Sequence, residues 1–256
     1  MSNNTEEEIP DNERHKLCKK ITECGTYISE WLTGQPNVGE ESLTDWFLYE
    51  LDKSSLILHY EKFNKREEAK TGADWLWEIV FSDESSISFL VQAKKVSDDQ
   101  SVKKALTYPV GKKKIPQMEI LLRHARSITA LPFYCFYTIA QTENSRCSGN
   151  KKKEGVFWTD AHWLNSNGSP PPFNELMRVT TPIACLFCCD LFSIVRYLTR
   201  YFREFQFRRN LNNYIKQPSQ EILNVIEVGF SNSLPRLKEQ YARYADSIVI
   251  VDLREA

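Results

Sequence analysis

The chain has 256 residues, of which 41% are hydrophobic and 26% charged, and its net charge is −1. These values predict one globular core with an accessory region, and they exclude a wholly cationic, nonspecific nucleic-acid binder. No stretch approaches the roughly 20 apolar residues of a membrane span. The N-terminus, with acids at Glu6-Glu7-Glu8, lacks the apolar segment of a secretory signal. We therefore expect a cytoplasmic protein without a membrane partner.

The first elements follow from the hydrophobic pattern. Residues 1–12 are acidic and predict a disordered tail. Apolar positions recur at helical spacing over 13–33 and over 40–52, and residues 55–63 have the composition of a strand.

The second predicted helix carries a candidate acid in its first turn. Glu40 shares a face with Leu43 and Phe47, because residues three and seven positions apart lie on one side of a helix. Glu40 should therefore face inward, whereas Glu41 is rotated away by about 100°. Glu41 remains an alternative, and a further interpretation is that both acids only complement the helix dipole.

Residues 75–81 and 87–94 predict a β-hairpin around a polar turn. Side chains alternate along a strand, so Gln92 and Lys94 point to the same side. Asp74 precedes the first strand, while Gln92 and Lys94 end its antiparallel partner. All three residues should therefore meet at one end of the hairpin.

This trio suggests a metal site beside a lysine. Oxygens from the Asp74 carboxylate, the Gln92 side chain and a main-chain carbonyl near Ala93 suit a hard divalent cation such as Mg²⁺ or Mn²⁺. Such an ion would stabilise charge on a scissile phosphate and lower the pKa of a bound water, and Lys94 would orient that water or neutralise the transition state. Alternatively, Asp74 is a turn acid and Lys94 a solvated strand end. Gln92 lies in an apolar run and requires a polar partner in either case.

Later elements complete an α-β-β-β-α-β order, which predicts a mixed sheet flanked by helices. A proline-rich loop at 166–173 divides the chain into a core over 13–165 and a C-terminal part over 166–256 that packs on the same core. The later predicted elements are a helix over 115–128, a strand over 132–140, a largely helical stretch over 183–215, a helix over 219–228 and a final strand over 245–253.

Basic residues are concentrated between Lys94 and Arg126, where nine lysines and arginines occur against three acids. This segment follows the proposed site and includes a lysine-rich loop at 110–114. We interpret it as a surface for nucleic-acid phosphates, although a solvated loop has the same composition. The candidate phosphate contacts are Lys95, Lys103, Lys104, Lys112, Lys113 and Lys114.

The chain has seven cysteines, which is an odd number, and their spacing is not that of a disulfide scaffold. Reduced thiols are therefore expected. Cys185, Cys188 and Cys189 resemble half a zinc site, but they lie within an apolar run. No second cysteine pair or paired histidines complete four ligands at the usual spacing. We expect these three thiols to be buried, reduced and free of metal.

Several short motifs occur in order: Glu-x-x-Leu-Thr at 40–44, Gly-Ala-Asp-Trp at 72–75, Gln-Ala-Lys at 92–94 and Ile-Pro-Gln-Met-Glu at 115–119. Together they resemble the PD-(D/E)XK nuclease superfamily. More narrowly, they resemble an uncharacterised, mostly bacterial family that also carries a Pro-x-Tyr-Cys-Phe-Tyr strand, matched here by residues 132–137. The resemblance covers residues 40–140.

The resemblance implies a mixed α/β, restriction-endonuclease-like core, with a central mixed β-sheet flanked by helices and a helical C-terminal elaboration. It implies Mg²⁺ (or Mn²⁺) as cofactor, held by Glu40, Asp74 and Gln92. The implied catalytic residues are Glu40, Asp74, Gln92, Lys94 and Gln117. Two positions depart from the pattern: Gln92 replaces the superfamily's usual acid, and Leu76 stands where the narrower family often has a second one.

The sequence therefore predicts a magnesium-dependent endonuclease that hydrolyses phosphodiester bonds in DNA, or in RNA, with bacterial antiviral defence as one setting. It would act as a homodimer or as a partner subunit of a multi-component system. Two alternatives use the same fold. One is a catalytically silent nucleic-acid-binding domain, because Gln92 weakens the metal site, and the other is a protein-interaction domain.

Overall fold

The computed structural model describes residues 13–63, 72–140, 154–166, 168–187 and 211–254. The predicted acidic tail and most of the predicted helical stretch over 183–215 lie outside the described residues. None of the helices in the described ranges has the length and apolarity needed to cross a membrane.

Helices account for much of the described chain. In chain order they are α1 (Glu13–Gly34), α2 (Glu40–Ser54), α3 (Asp99–Leu106), α4 (Gln117–Ser127), α5 (Ala161–Ser166), α6 (Phe173–Val179), α7 (Gln220–Val228) and α8 (Leu234–Tyr241). Two short 3-10 helices span Ile183–Leu186 and Leu211–Tyr214.

The strands form one large sheet and a small hairpin. They are β1 (Leu58–Lys62), β2 (Trp75–Val80), β3 (Ser86–Lys95), β4 (Pro109–Val110), β5 (Ile115–Pro116), β6 (Leu131–Ala140), β7 (Glu154–Asp160), β8 (Thr181–Pro182), β9 (Ile215–Lys216) and β10 (Ser247–Asp252). The order in the large sheet is β1-β10-β2-β3-β6-β7-β8, with β9 paired to β3, while β4 and β5 pair separately. The pairs β10–β2 and β3–β6 are parallel and the others antiparallel, which confirms the predicted mixed α/β class.

The sheet is buried on both faces, so its strands are apolar along their length. In β2, Trp75, Trp77 and Ile79 pack on one side against α1 and α2. Leu76 and Val80 pack on the other side, where α3 to α8 lie. The result is three layers, with the large sheet in the middle.

The predicted hairpin forms as β2 and β3, which pair antiparallel with Trp75 opposite Val91. The final strand, β10, inserts between β1 and β2 and runs parallel to β2, so that Ser247 pairs with Trp75. Parallel neighbours begin at the same edge of a sheet. The residues that precede β2 and β10 therefore meet at the edge where β3 ends.

The helix predicted over 115–128 begins two residues later, at Gln117. Ile115 and Pro116 pair instead with Val110 and Pro109, and the backbone of Pro116 is extended, with φ −56° and ψ 133°. The sequence pattern also does not predict β7, because its second residue is Gly155, and glycine is depleted in strands. A Cβ at that position would lie 2.5 Å from the carbonyl oxygen of Gly25, so the glycine lets α1 approach the sheet.

Candidate active site

A cleft of about 710 Å³ opens at the edge of the sheet where β2 and β10 begin and β3 ends. Six helices and strands contribute to it, together with the loops that join them. The residues predicted as catalytic all line this cleft: Glu40, Asp74, Gln92, Lys94 and Gln117. The fold therefore brings together residues that are spread over 78 positions of sequence, from 40 to 117.

Hydrogen bonds from both neighbouring strands hold the main chain of Asp74 in place. Its N–H donates to the carbonyl oxygen of Val91 at 2.8 Å, and its own carbonyl accepts from Ser247 Oγ at 3.1 Å. Gly72 has a positive φ of 71°, and a Cβ there would lie 2.8 Å from the Ile120 side chain. The glycine of the Gly-Ala-Asp-Trp motif is thus required for the tight approach of this turn to α4.

The Asp74 carboxylate meets the end of β3. Its Oδ2 accepts a hydrogen bond from the main-chain N–H of Ala93 at 2.6 Å and another from Nε2 of Gln92. The same Nε2 donates to the carbonyl oxygen of Ala93 at 3.1 Å. Gln92 is only 1% exposed, and its Oε1 has no hydrogen-bond partner in the described part of the chain. A carboxylate, an amide and a main-chain carbonyl therefore converge on one small region.

Burial raises the pKa of Asp74 to about 7. The ammonium of Lys94 and the N–H of Ala93 act in the opposite direction, whereas the nearby charges of Glu40 and Asp246 raise the pKa further. Asp74 is therefore a carboxyl group that exchanges its proton near neutral pH.

Glu40 contacts the same strand end from the first turn of α2. Its Oε1 accepts from Lys94 Nζ at 3.0 Å, and its Oε2 accepts from the main-chain N–H of Lys95 at 2.9 Å. Glu41 also lines the cleft, but its carboxylate pairs with Lys62 at 3.4 Å. Of the two acids considered in the sequence, Glu40 is the one that reaches Lys94.

The proposed phosphate-contacting lysines occupy different environments. The ammonium of Lys95 donates to the carbonyl oxygens of Pro36 and Val38 at 2.8 and 2.7 Å, so it braces the loop that leads into α2. Lys103 and Lys104 are exposed on α3, and Lys104 lines the cleft. The lysine triplet Lys112–Lys114 is exposed at the turn of the β4–β5 hairpin.

Gln117 opens α4 on the far wall of the cleft. Its N–H donates to the carbonyl oxygen of Tyr108 at 2.8 Å, which links the start of α4 to the segment before the β4–β5 hairpin. Its side-chain Oε1 is buried and has no hydrogen-bond partner in the described ranges. Two buried amide oxygens, one from Gln92 and one from Gln117, are thus unsatisfied around one cleft.

Tyr108, Asp246 and Ser247 are among the cleft residues that were not identified from sequence. Asp246 and Ser247 stand at the start of β10, just as Asp74 stands at the start of β2. The sequence could have indicated Asp246 and Ser247 only if β10 had been assumed to run parallel to β2, because parallel strands begin at the same edge of a sheet. Tyr108 follows α3, a helix that the hydrophobic pattern does not predict.

The family model described as a family of unknown function, DUF6615, matches residues 17–252. The chain belongs to DUF6615. The matched range contains every residue of the cleft. No curated protein matches the chain at a significant level.

A metal ion in the cleft of this DUF6615 chain would require several side-chain or main-chain ligands close together. Among the described residues, no three side chains of histidine, cysteine, aspartate or glutamate are grouped to hold one. The groups that do converge are the Asp74 carboxylate, the Gln92 amide and the main-chain carbonyl of Ala93, and oxygens of all three kinds suit Mg²⁺ or Mn²⁺. The unsatisfied oxygen of Gln92 also fits a bound cation, because a buried carbonyl without a partner is costly.

The described residues include some of the cysteines but not all of them. Cys185 is buried and is not in a disulfide, as expected for a small core residue. Cys188 and Cys189 lie outside the described residues, so the prediction for them stays a prediction. Cys18, Cys24 and Cys135 are likewise buried and not in disulfides.

Proposed function

We propose that this DUF6615 protein is a divalent-metal-dependent nuclease that hydrolyses phosphodiester bonds in DNA or RNA. The observation that carries the proposal is the meeting of Asp74 with Gln92 and the Ala93 main chain, with Lys94 and Glu40 beside them. The sequence motifs that resemble PD-(D/E)XK nucleases contribute these residues, and the cleft gives them one solvent-accessible space.

Asp74, Gln92 and Glu40 are the residues proposed to hold Mg²⁺ or Mn²⁺. Gln92 Nε2 donates to both Asp74 and the Ala93 carbonyl, which are acceptors that a cation would also use. Rotating the amide by about 180° would exchange its nitrogen for its oxygen at this place, and the two orientations differ only by that rotation. When bound, the metal ion would neutralise charge on the phosphate and lower the pKa of a water molecule.

Lys94 is proposed to act on the reacting phosphate. Its side chain is 13% exposed, so its ammonium faces a partly desolvated space where charge interactions are stronger than in water. There it would stabilise the negative charge that develops on the phosphoryl oxygens. Glu40 positions the ammonium through the ion pair of 3.0 Å and keeps it from folding back into solvent.

A catalytically silent nucleic-acid-binding domain is the second candidate, and Gln92 favours it. A neutral amide contributes less to metal affinity than a carboxylate, since affinity for hard cations rises with ligand charge. The amide also satisfies Asp74 without any metal. This candidate predicts binding of nucleic acid without cleavage.

A cleavage assay separates the two candidates. Wild type and Lys94→Ala would be incubated with labelled single-stranded and duplex DNA and RNA, with Mg²⁺ or Mn²⁺ and with EDTA. The nuclease proposal expects cleavage by wild type that requires the metal and is lost in Lys94→Ala, while both proteins still bind. Binding by both proteins without metal-dependent cleavage of any substrate would favour the silent domain.

A further inference from the structure

Tyr108 presents an aromatic ring to the cleft. The residue lines the cleft and is 49% exposed. The ring centroid lies 6.0 Å from Lys94 Nζ. In the described part of the chain, no second aromatic ring stacks on Tyr108. About half of the Tyr108 surface is therefore open to solvent, beside the proposed catalytic lysine.

The lysines that line the cleft differ in whether their ammonium groups already bond to other described residues of the protein. Lys62, Lys94 and Lys95 each bond to a carboxylate or to main-chain carbonyls. Lys104 lines the same cleft, and the described residues contain no partner for its ammonium. It lies four positions before Tyr108, on the same wall. This wall continues into the hairpin that carries the lysine triplet Lys112–Lys114.

An exposed ring flanked by unpaired ammonium groups is the pattern with which proteins bind single-stranded nucleic acid. The cations follow the backbone, and the ring stacks on a base. Within a duplex, neighbouring base pairs already cover both faces of each base, so a side chain stacks only on a base that is unpaired or turned out. The cleft volume of about 710 Å³ is in the range of a small-ligand site, which suits one or two nucleotides.

We infer that the cleft takes single-stranded or locally unpaired nucleic acid and that Tyr108 stacks on a base next to the reacting phosphate. This inference rests on the proposed function, because it names the substrate class of the same site. Lys104 and the lysine triplet then contact the flanking phosphates. Tyr108 determines which form of nucleic acid is accepted, and Lys94 acts on the phosphate.

Binding without cleavage provides the test. Fluorescence anisotropy in EDTA would measure affinities for labelled DNA and RNA single strands of about 12 nucleotides and for blunt duplexes of the same length. Wild type should bind the single strands more tightly. Tyr108→Leu should weaken single-strand binding by about 5-fold to 150-fold, the range for loss of one stacked base. Tyr108→Phe keeps the ring and should stay within about two-fold of wild type.

Tyr49→Leu is the matched control, because Tyr49 is 55% exposed on α2 and does not line the cleft. It should leave both affinities unchanged. Tighter binding of duplexes by wild type would overturn the inference. So would no measurable binding, equal losses for both substrates in Tyr108→Leu, or equal losses in Tyr108→Leu and Tyr108→Phe.

The result of the cleavage assay does not depend on the result of this binding test. If Tyr108-dependent preference for single strands is found but no metal supports cleavage, the nuclease proposal fails and the inference on substrate class stands. If duplexes are cleaved and bound more tightly than single strands, the nuclease proposal stands and the inference on Tyr108 fails.

Discussion

Lys94 at the end of β3 and Glu40 at the start of α2 form an ion pair across 54 positions of sequence, with 3.0 Å between Nζ and Oε1. The Glu40 side chain is 32% exposed and that of Lys94 is 13% exposed, so the pair is partly shielded from solvent. The pair joins the helix to the edge of the sheet beside Asp74. Lys94 therefore has a structural partner as well as a proposed chemical role, and experiments must separate the two.

Lys94→Ala is expected to reduce turnover by about 100-fold or more, because its ammonium acts mainly on charge that develops in the transition state. Nucleic-acid affinity should stay within a few-fold of wild type. Single-turnover cleavage and anisotropy would be measured on the same preparations. The loss of this partly shielded ion pair should lower the free energy of unfolding by only about 1 kcal/mol.

Lys95→Ala is the control for Lys94→Ala. It removes a neighbouring ammonium that bonds to the Pro36 and Val38 carbonyls rather than to the reacting region. We expect a lower melting temperature with turnover close to wild type. If Lys94→Ala loses binding and cleavage in step, Lys94 is one more phosphate contact and the proposed mechanism is wrong.

Gln92→Glu is expected to tighten Mn²⁺ binding by about 10-fold or more, because it adds a charged oxygen ligand next to Asp74. Without metal, the two carboxylates repel each other and the variant should melt at a lower temperature than wild type. Addition of Mn²⁺ should therefore raise its melting temperature more than that of wild type. Calorimetric titration and thermal unfolding would measure both effects.

Gln117→Glu places the same charge in the same cleft without replacing the partner of Asp74. It should increase Mn²⁺ affinity less than Gln92→Glu does. Equal affinities in wild type and a correctly folded Gln92→Glu protein would mean that position 92 does not contact the metal.

The raised pKa of Asp74 predicts how stability depends on pH in metal-free protein. The unfolded chain loses this proton near pH 4 and the folded chain near pH 7, so the folded state binds the extra proton between these values. The free energy of unfolding should therefore fall as pH rises from about 4 to about 7. Asp74→Asn removes this contribution, and should be the more stable protein at about pH 8, by at most about 4 kcal/mol.

Urea unfolding in EDTA across this pH range would measure the effect. Asp83→Asn is the control, because hydrogen bonds from Ser85 lower the pKa of Asp83 and its charge change falls outside the window. That variant should keep the wild-type slope. An unchanged slope in Asp74→Asn would show that Asp74 does not bind the proton in this range.

Replacing Lys112, Lys113 and Lys114 together with alanine should weaken nucleic-acid binding alike for all sequences. Each lost phosphate contact removes counterion release, which lowers the slope of log affinity against log salt by about 0.7 on single strands or about 0.9 on duplex DNA. Anisotropy at several salt concentrations would give the slopes. Lys19→Ala combined with Lys53→Ala removes exposed lysines outside the cleft and should leave the slope unchanged. A triplet variant with the wild-type slope would mean that the hairpin does not contact phosphates.

Local patterns were sufficient to predict the parts of this site that lie close together in sequence. Alternation along β3 puts Gln92 and Lys94 on one side, and the hairpin returns them to Asp74. The helical period correctly indicated that Glu40 faces inward from α2. These relationships depend on neighbouring dihedral angles and on one short turn, which composition and spacing specify.

The rest was decided by contacts between distant segments. The sequence predicts a strand over 245–253, but no local pattern indicates that this strand enters the sheet between β1 and β2 and brings Asp246 to Asp74. Residues 115–116 pair with 109–110 instead of starting a helix, which orients Tyr108 and Gln117 toward the cleft. The sequence by itself predicted the residues that are proposed to carry the chemistry, together with the hairpin and the helix that hold Asp74, Gln92, Lys94 and Glu40. Only the tertiary structure decided which residues share a wall, because strand order and side-chain burial arise from packing over the whole chain.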